Sequence, residues 1–206
     1  MTTANLMLYV VDDDEAVRRS MAMLLISRGL AVQVFDSGEA FLAGADLRRH
    51  GCVVLDREMG TMSGVQVFHA LRERGSQLVV LFVSGHGDIP SAREVVQNGA
   101  IDWLEKPCSD TVLMGKIGQA LERAAALAAL EPLKALWEMQ TPREKEVARC
   151  ARTGHSSKQV ARDMTAQDPT RPIDPRTVDT HLGTVYAKLG IAGRSELDAF
   201  MRKIGV

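Results

Sequence analysis

Four apolar runs, each about the length of a β-strand, stop abruptly on polar side chains. Nothing else in the sequence restricts the fold as much. Leu6-Met7-Leu8-Tyr9-Val10-Val11 ends at Asp12-Asp13-Asp14, Cys52-Val53-Val54-Leu55 at Asp56, and Leu78-Val79-Val80-Leu81-Phe82-Val83 at Ser84. The shorter Asp102-Trp103-Leu104 runs into Glu105-Lys106-Pro107. A continuous apolar run of this length fits a strand buried on both faces. Amphipathic helical segments lie between these runs. Val17, Met21, Leu24 and Leu25 recur at helical spacing before Gly29, and Ser37 can cap a short helix to about Ala43. Val65, Phe68 and Leu71 mark a third helix. Ala92, Val95 and Val96 mark a fourth, closed by Asn98-Gly99, and Leu113, Ile117, Leu121 and Ala124 a fifth, capped by Ser109 or Asp110. Ala31-Val32-Gln33-Val34-Phe35 alternates as one more strand. Five strands alternating with five helices predict a doubly wound, five-stranded parallel sheet covered on both faces.

Right-handed connections place the carboxyl ends of such strands on one edge, where ligands of open α/β sheets bind. That edge would collect Asp12, Asp13, Asp56, Ser84 and Lys106. Asp56 alone reads equally well as a nucleophile or metal ligand and as the start of a surface turn. Five polar residues at successive strand ends read as a site. Three carboxylates together repel unless a cation neutralises them. A hard divalent ion such as Mg²⁺ does this with oxygen ligands. A hydroxyl and an ammonium beside them suit the transfer of a phosphoryl group onto one carboxylate.

These pieces resemble the receiver domain of two-component response regulators, a flavodoxin-like fold. The resemblance rests on Val10-Val11-Asp12-Asp13-Asp14, Asp56-Arg57-Glu58-Met59 with Gly64, Ser84-Gly85 and Lys106-Pro107, and covers residues 6 to about 125. It implies that Asp56 is the phosphoacceptor and that Mg²⁺ is held by Asp12, Asp13, Asp56 and the backbone carbonyl of Glu58. Ser84 would read the phosphoryl group, Lys106 would pair with it across a cis Lys106-Pro107 bond, and Trp103 would be the switch aromatic. Glu58 and His86 would influence the lifetime of the phosphoryl group. Gly60 stands where the family usually has proline, which predicts a more mobile loop. A haloacid-dehalogenase-like phosphatase is disfavoured, because Glu58 stands where that enzyme has a second Asp. The chain would be a phosphoacceptor with slow autodephosphorylation, not an enzyme in the ordinary sense.

Charge divides the chain. From Thr141 onward there are 12 Lys and Arg against 8 Asp and Glu, leaving 13 of the 25 basic and 18 of the 26 acidic residues to the first part. An acidic first domain and a mildly basic second one point to different partners. The boundaries predicted are 1–125 for the first domain, 126–140 for a helical linker rich in Ala and Leu, and 141–206 for the second domain. In the linker Leu127, Leu130 and Leu133 form a stripe, and Pro132 interrupts the helix. The three cysteines are too few and too scattered for a disulfide framework or a zinc site. No membrane span or signal peptide is legible, so the expected location is the cytoplasm.

The second domain opens with the capping box Thr141-Pro142-Arg143-Glu144. Ser156 and Gln159 suggest another box, and Asp174-Pro175-Arg176-Thr177 starts a helix with the apolar stripe Val178, Leu182, Val185, Tyr186 and Leu189. Arg194-Ser195-Glu196-Leu197 opens the last helix. This small all-α domain resembles the LuxR-type helix-turn-helix. The segments that carry the likeness are Lys158-Gln159-Val160-Ala161, Pro175-Arg176-Thr177-Val178, Thr180-His181 and Lys188-Leu189-Gly190. Joined to a receiver, it resembles the NarL/FixJ family of transcription regulators. The resemblance implies a cognate sensor histidine kinase, double-stranded promoter DNA and a phosphorylation-dependent homodimer as partners. Arg176, Thr177, Thr180, His181, Thr184 and Lys188 would contact DNA. There are two departures. Thr165 to Pro172 is an insertion where the family has about one residue, and Asp179 replaces the usual lysine. Both predict weak or atypical DNA binding, and they keep open a second reading in which the module switches a protein interaction instead.

Overall fold

The computed structural model describes residues 6–85, 89–152 and 154–206, and of 89–92 the backbone alone. The chain divides after Ala128 into two compact units. The first contains β1 (Met7–Val11), α1 (Glu15–Ser27), β2 (Val32–Phe35), α2 (Gly38–Gly44), β3 (Gly51–Leu55), α3 (Gly64–Glu73), β4 (Val79–Ser84), α4 (Ile89–Gln97), β5 (Asp102–Glu105) and α5 (Asp110–Ala128). All strand pairs are parallel, in the order β2-β1-β3-β4-β5. The apolar runs form the sheet because the side chains of its inner strands meet a helix on one face or the other. Tyr9, Val11, Val53 and Leu55 pack with Phe41 of α2 and Phe68 of α3. Leu8, Val10, Cys52 and Val54, one residue out of phase, pack with Leu25 of α1 and Ile117 of α5.

Local signals set the helix ends. Asp14 caps α1 by accepting from the N–H groups of Ala16 and Val17, and Gly29 takes the positive φ of 77° beyond its last turn. Ser37 caps α2. The predicted second strand is a half-exposed edge, with Val34 44% exposed despite its alternation. The strand order reverses between β1 and β3, so a crevice opens beyond their carboxyl ends. The register Val11↔Leu55 sets Asp12 and Asp56 side by side there.

The second unit, Ala129–Val206, contains α6 (Glu131–Glu138), α7 (Pro142–Ala151), α8 (Ser157–Gln167), α9 (Pro175–Leu189) and α10 (Arg194–Ile204). The stretch 126–140, expected as a connector, is divided between the two units. Leu127 packs under the sheet of the first. Trp137, 2% exposed, lies in the core of the second with Val147, Met164, Leu182, Val185 and Met201. Pro132 stands in the first turn of α6, where a missing N–H is harmless. The expected capping box of α7 is present, with Thr141 and Glu144 each closing on the other's backbone. That of α8 is half formed. Ser156 Oγ accepts from the Gln159 N–H, but the Gln159 side chain donates to Asp163 at 2.9 Å, a partner one turn on. Among the described residues no helix is long and apolar enough to cross a membrane.

Since Trp137 belongs to the second core, Trp137→Ala should destabilise that unit by about 3–5 kcal/mol. Near-ultraviolet circular dichroism of the full chain should then show the second unit melting early, with the first unit's transition unmoved.

Candidate functional site

Backbone pairing carries each strand end to the same place. Asp56 N–H donates to Val11 O at 2.9 Å, and Lys106 N–H donates to Ser84 O at 2.9 Å. These bonds bring Asp12, Asp13, Asp56, Ser84 and Lys106 to one edge. One carboxylate oxygen from each of Asp12, Asp13 and Asp56 lies within 4.8 Å of the others. The Lys106 ammonium donates to Asp12 Oδ2 at 2.7 Å and to Asp56 Oδ2 at 2.9 Å. Asp12 is 2% exposed and Asp56 9%. Burial pushes the Asp12 carboxyl above the usual carboxylate range, against the hydrogen bond and charge of Lys106, and the Asp56 charge adds to the rise. Burial works to lower the Lys106 pKa, but its bonds to Asp12 and Asp56 and their charges outweigh it and leave the ammonium above its ordinary value.

The three successive aspartates do different work. Asp12 Oδ1 accepts from the Asp14 N–H at 3.0 Å while Arg18 holds the Asp12 carbonyl at 2.6 Å. Asp13, exposed, accepts at 3.2 Å from the N–H of Gly60. Asp14 caps α1. Asp56 Oδ1 is buried and, among the described residues, meets no hydrogen-bond donor. A buried carboxyl oxygen without a donor, beside two further carboxylates, suits a hard cation with oxygen ligands. Gly64 keeps the floor closed, because a Cβ there would stand 2.0 Å from the Asp56 carbonyl oxygen.

Gly60 has φ +23°, which a proline ring cannot adopt, and its N–H is the donor to Asp13. The family's proline could supply neither. Glu58 ion-pairs with Arg57. His86, named with Glu58 in the sequence, lies outside the described residues. Ser84 is buried at the end of β4. The indole of Trp103 stacks on Phe82, with ring centroids 5.2 Å apart. The Lys106-Pro107 bond is cis, as the sequence suggested.

In the second unit, Asp174 caps α9, which buries Val178, Leu182, Val185 and Leu189 and exposes Arg176, Thr177, Asp179, Thr180, Gly183, Thr184 and Ala187. His181 is half-buried. The hydroxyls of Thr180 and Thr184 donate back to the carbonyls of Arg176 and Thr180. The ammonium of Lys188, expected to contact DNA, lies 2.8 Å from both oxygens of the buried Glu144. Asp179 is engaged as well, because it accepts from the hydroxyl of Ser157, which in turn accepts from Arg194 at 2.7 Å. Neither pairing leaves a trace in local sequence pattern. The inserted segment is ordered: Thr165, Ala166 and Gln167 extend α8, and Ile173 N–H donates to Thr165 Oγ1 at 3.2 Å.

Residues 8–118 match the family described as "Response regulator receiver domain", and residues 139–201 match "Bacterial regulatory proteins, luxR family". The chain is 36% identical to the transcriptional regulatory protein FixJ of Rhizobium meliloti over 185 residues, 88% of this chain and 87% of that one. It is 36% identical to the tetrathionate response regulatory protein TtrR of Salmonella typhimurium over 190 residues, 92% and 89% of the two chains. The solved structure of the response regulator StyR superposes with a TM-score of 0.69 at 32% identity, covering 97% of this chain and all of that one.

Glu144 is held below the usual carboxylate range, first by the Lys188 hydrogen bond and then, against burial, by donors on Thr141. A carboxyl depressed in the folded state adds stability above its unfolded pKa and loses it as the pH falls through the folded value. The thermal midpoint of the second unit should therefore drop as the pH falls below the ordinary glutamate range. Glu144→Gln should destabilise that unit by about 1–3 kcal/mol at neutral pH and flatten the acid dependence of its midpoint.

Proposed function

The chain belongs to the two-component response regulators that join a receiver domain to a luxR-family DNA-binding domain, and we propose on that premise that Asp56 accepts a phosphoryl group from a sensor histidine kinase. The observation that carries this reading is the Asp56 carboxylate itself. One oxygen is held by Lys106, and the other is buried, without a donor, beside Asp12 and Asp13. Asp56 attacks phosphorus as the bond from phosphorus to the kinase histidine breaks. The imidazole leaves with the bonding pair and takes a proton from water, and Asp56 becomes an acyl phosphate. Lys106 is placed to pair with a phosphoryl oxygen in place of its present carboxylate partner. Asp12, Asp13, Asp56 and the backbone carbonyl of Glu58 would hold Mg²⁺, which supplies positive charge to the phosphoryl oxygens when bound. Ser84 would donate its hydroxyl to the phosphoryl group, and Trp103 would follow its movement by leaving or tightening its stack on Phe82. Glu58 and His86 would set how fast water removes the group.

In the second unit α9 is the recognition helix, presenting Arg176, Thr177, Thr180, His181 and Thr184 to the major groove of promoter DNA. Asp179, the main sequence argument against DNA binding, is engaged by Ser157, so its charge is partly answered within the fold. Phosphorylation would release or dimerise this unit.

Incubation with acetyl phosphate and Mg²⁺ should add one phosphoryl group to the intact mass, and Asp56→Asn should abolish the gain. Mg²⁺ at ten times its dissociation constant should stabilise the first unit by about 1.4 kcal/mol, an increment that Asp13→Asn removes. A phosphoryl group retained by the Asp56 variant would refute the assignment.

A further inference from the structure

The recognition helix is short of cations. Asp179 stands on its exposed face, and Lys188 is drawn to Glu144. Cations outside any ion pair gather between α8 and the start of α9. Lys158 and Arg162 lie one turn apart on the exposed side of α8, Arg171 is carried by the inserted segment, and Arg176 opens α9. Among the described residues, none of these four is drawn into an ion pair. The nearby acids are hydrogen-bonded first to their own loops, Asp168 by the N–H and hydroxyl of Thr170 and Asp174 by those of Thr177, and act on Arg171 and Arg176 only through their charge.

The insertion gives these cations a shaped setting. The extra turn of α8 and the returning loop border a shallow, open groove of about 530 Å³, whose lining includes Lys158, Arg162, Thr165, Ile173 and Pro175. Thr165 and Ile173 close it with two hydrogen bonds, at 3.2 and 3.5 Å. Arg143 holds the carbonyl of Arg171 at 3.2 Å, and the Arg171 N–H donates to Asp168 O at 3.1 Å. The loop that carries Arg171 is thus fixed at both ends and at its middle.

In helix-turn-helix docking the recognition helix enters the major groove by its N-terminal residues, and the helix before it crosses the sugar–phosphate backbone. The space between α8 and the start of α9 is therefore where a strand of the duplex passes. An apolar floor suits deoxyribose, and Lys158 and Arg162 at its rim, with Arg171 on the loop beside it, suit phosphates. We propose that the inserted segment and the outer side of α8 form a second backbone-binding groove for double-stranded DNA, with Arg162 and Arg171 as phosphate contacts that replace cations missing from α9. This rests on the DNA-binding reading above. An acidic protein segment would meet the same cations, but the position beside the N-terminus of the recognition helix favours the duplex.

Affinity for duplex DNA falls with salt by about 0.9 in log K per log unit of salt for each phosphate contact. Binding of the full chain to a short fluorescein-labelled duplex should be followed by anisotropy from ~50 to ~200 mM KCl. Arg162→Gln with Arg171→Gln should lower the salt slope by about 2 and weaken low-salt binding at least about tenfold, with the thermal midpoint unmoved. Arg202→Gln with Lys203→Gln, an equal loss of charge on α10, should leave the slope as in wild type. A wild-type slope in the first double variant, or an equal loss in both, overturns the proposal. An unchanged slope with weakened binding of a Glu/Leu-rich amphipathic peptide assigns the groove to a protein partner instead. If the wild type binds no duplex at the lowest salt, the DNA-binding reading itself fails.

Discussion

One ammonium holds the first unit's site together. Asp12 and Asp56 end neighbouring buried strands, so the register Val11↔Leu55 forces two carboxylates side by side where little water reaches them. Left alone they would repel, and one would take up a proton. Lys106 comes from β5, two strands beyond β3, and reaches both. Its own backbone is tied to Ser84, so the contact also fixes the end of β4. An apolar trio would serve the fold as well or better, because buried ion pairs seldom beat well-packed hydrophobic residues. The arrangement makes sense as chemistry: it leaves a carboxylate held by the ammonium on one oxygen and buried without a donor on the other.

A second buried carboxylate organises the other unit. Glu144 accepts from the Thr141 N–H at the start of α7 and from Lys188 near the end of α9. A residue needed for a local cap also pins α9 to the rest of the bundle. The same contact pairs one of the few cations of α9. A single pairing thus sets the orientation of α9 and lowers its positive charge, two effects that cannot be separated by mutating Lys188 alone.

The sequence was most legible where a residue acts on its own neighbourhood. Apolar runs gave the strands, and Ser37, Thr141 and Asp174 are caps whose partners lie within three residues. The acid cluster was legible because strand ends of a parallel sheet must share an edge. What stayed hidden joins distant elements. Lys188 and Glu144 are 44 residues apart, Gly60 and Asp13 are 47 apart, and Asp179 and Ser157 are 22 apart. Such pairs depend on how helices cross and where loops return, which period and propensity do not encode. Trp137 was hidden for a related reason: an amphipathic helix shows that it has an apolar face, not which core that face will meet. Gln159 failed as a box residue because Asp163, one turn on, offered a charged acceptor in place of a backbone N–H.

The insertion between α8 and α9 shows how local rules can build a rigid surface out of added length. A longer loop adds only a slowly growing entropic cost. This one is also stiffened by Asp168-Pro169, Arg171-Pro172 and Asp174-Pro175, since each residue before a proline is driven from helical to extended backbone. Asp168 ends α8 with a non-helical φ of −137°, and Asp174 takes the extended backbone of a helix cap, with ψ 162°. Arg171 between them is therefore carried on a backbone with little freedom left. A cation held this way loses less entropy on meeting a phosphate than one on a free loop. Length added at this point thus supplies a preorganised charge beside the helix that the rest of the unit has left short of them.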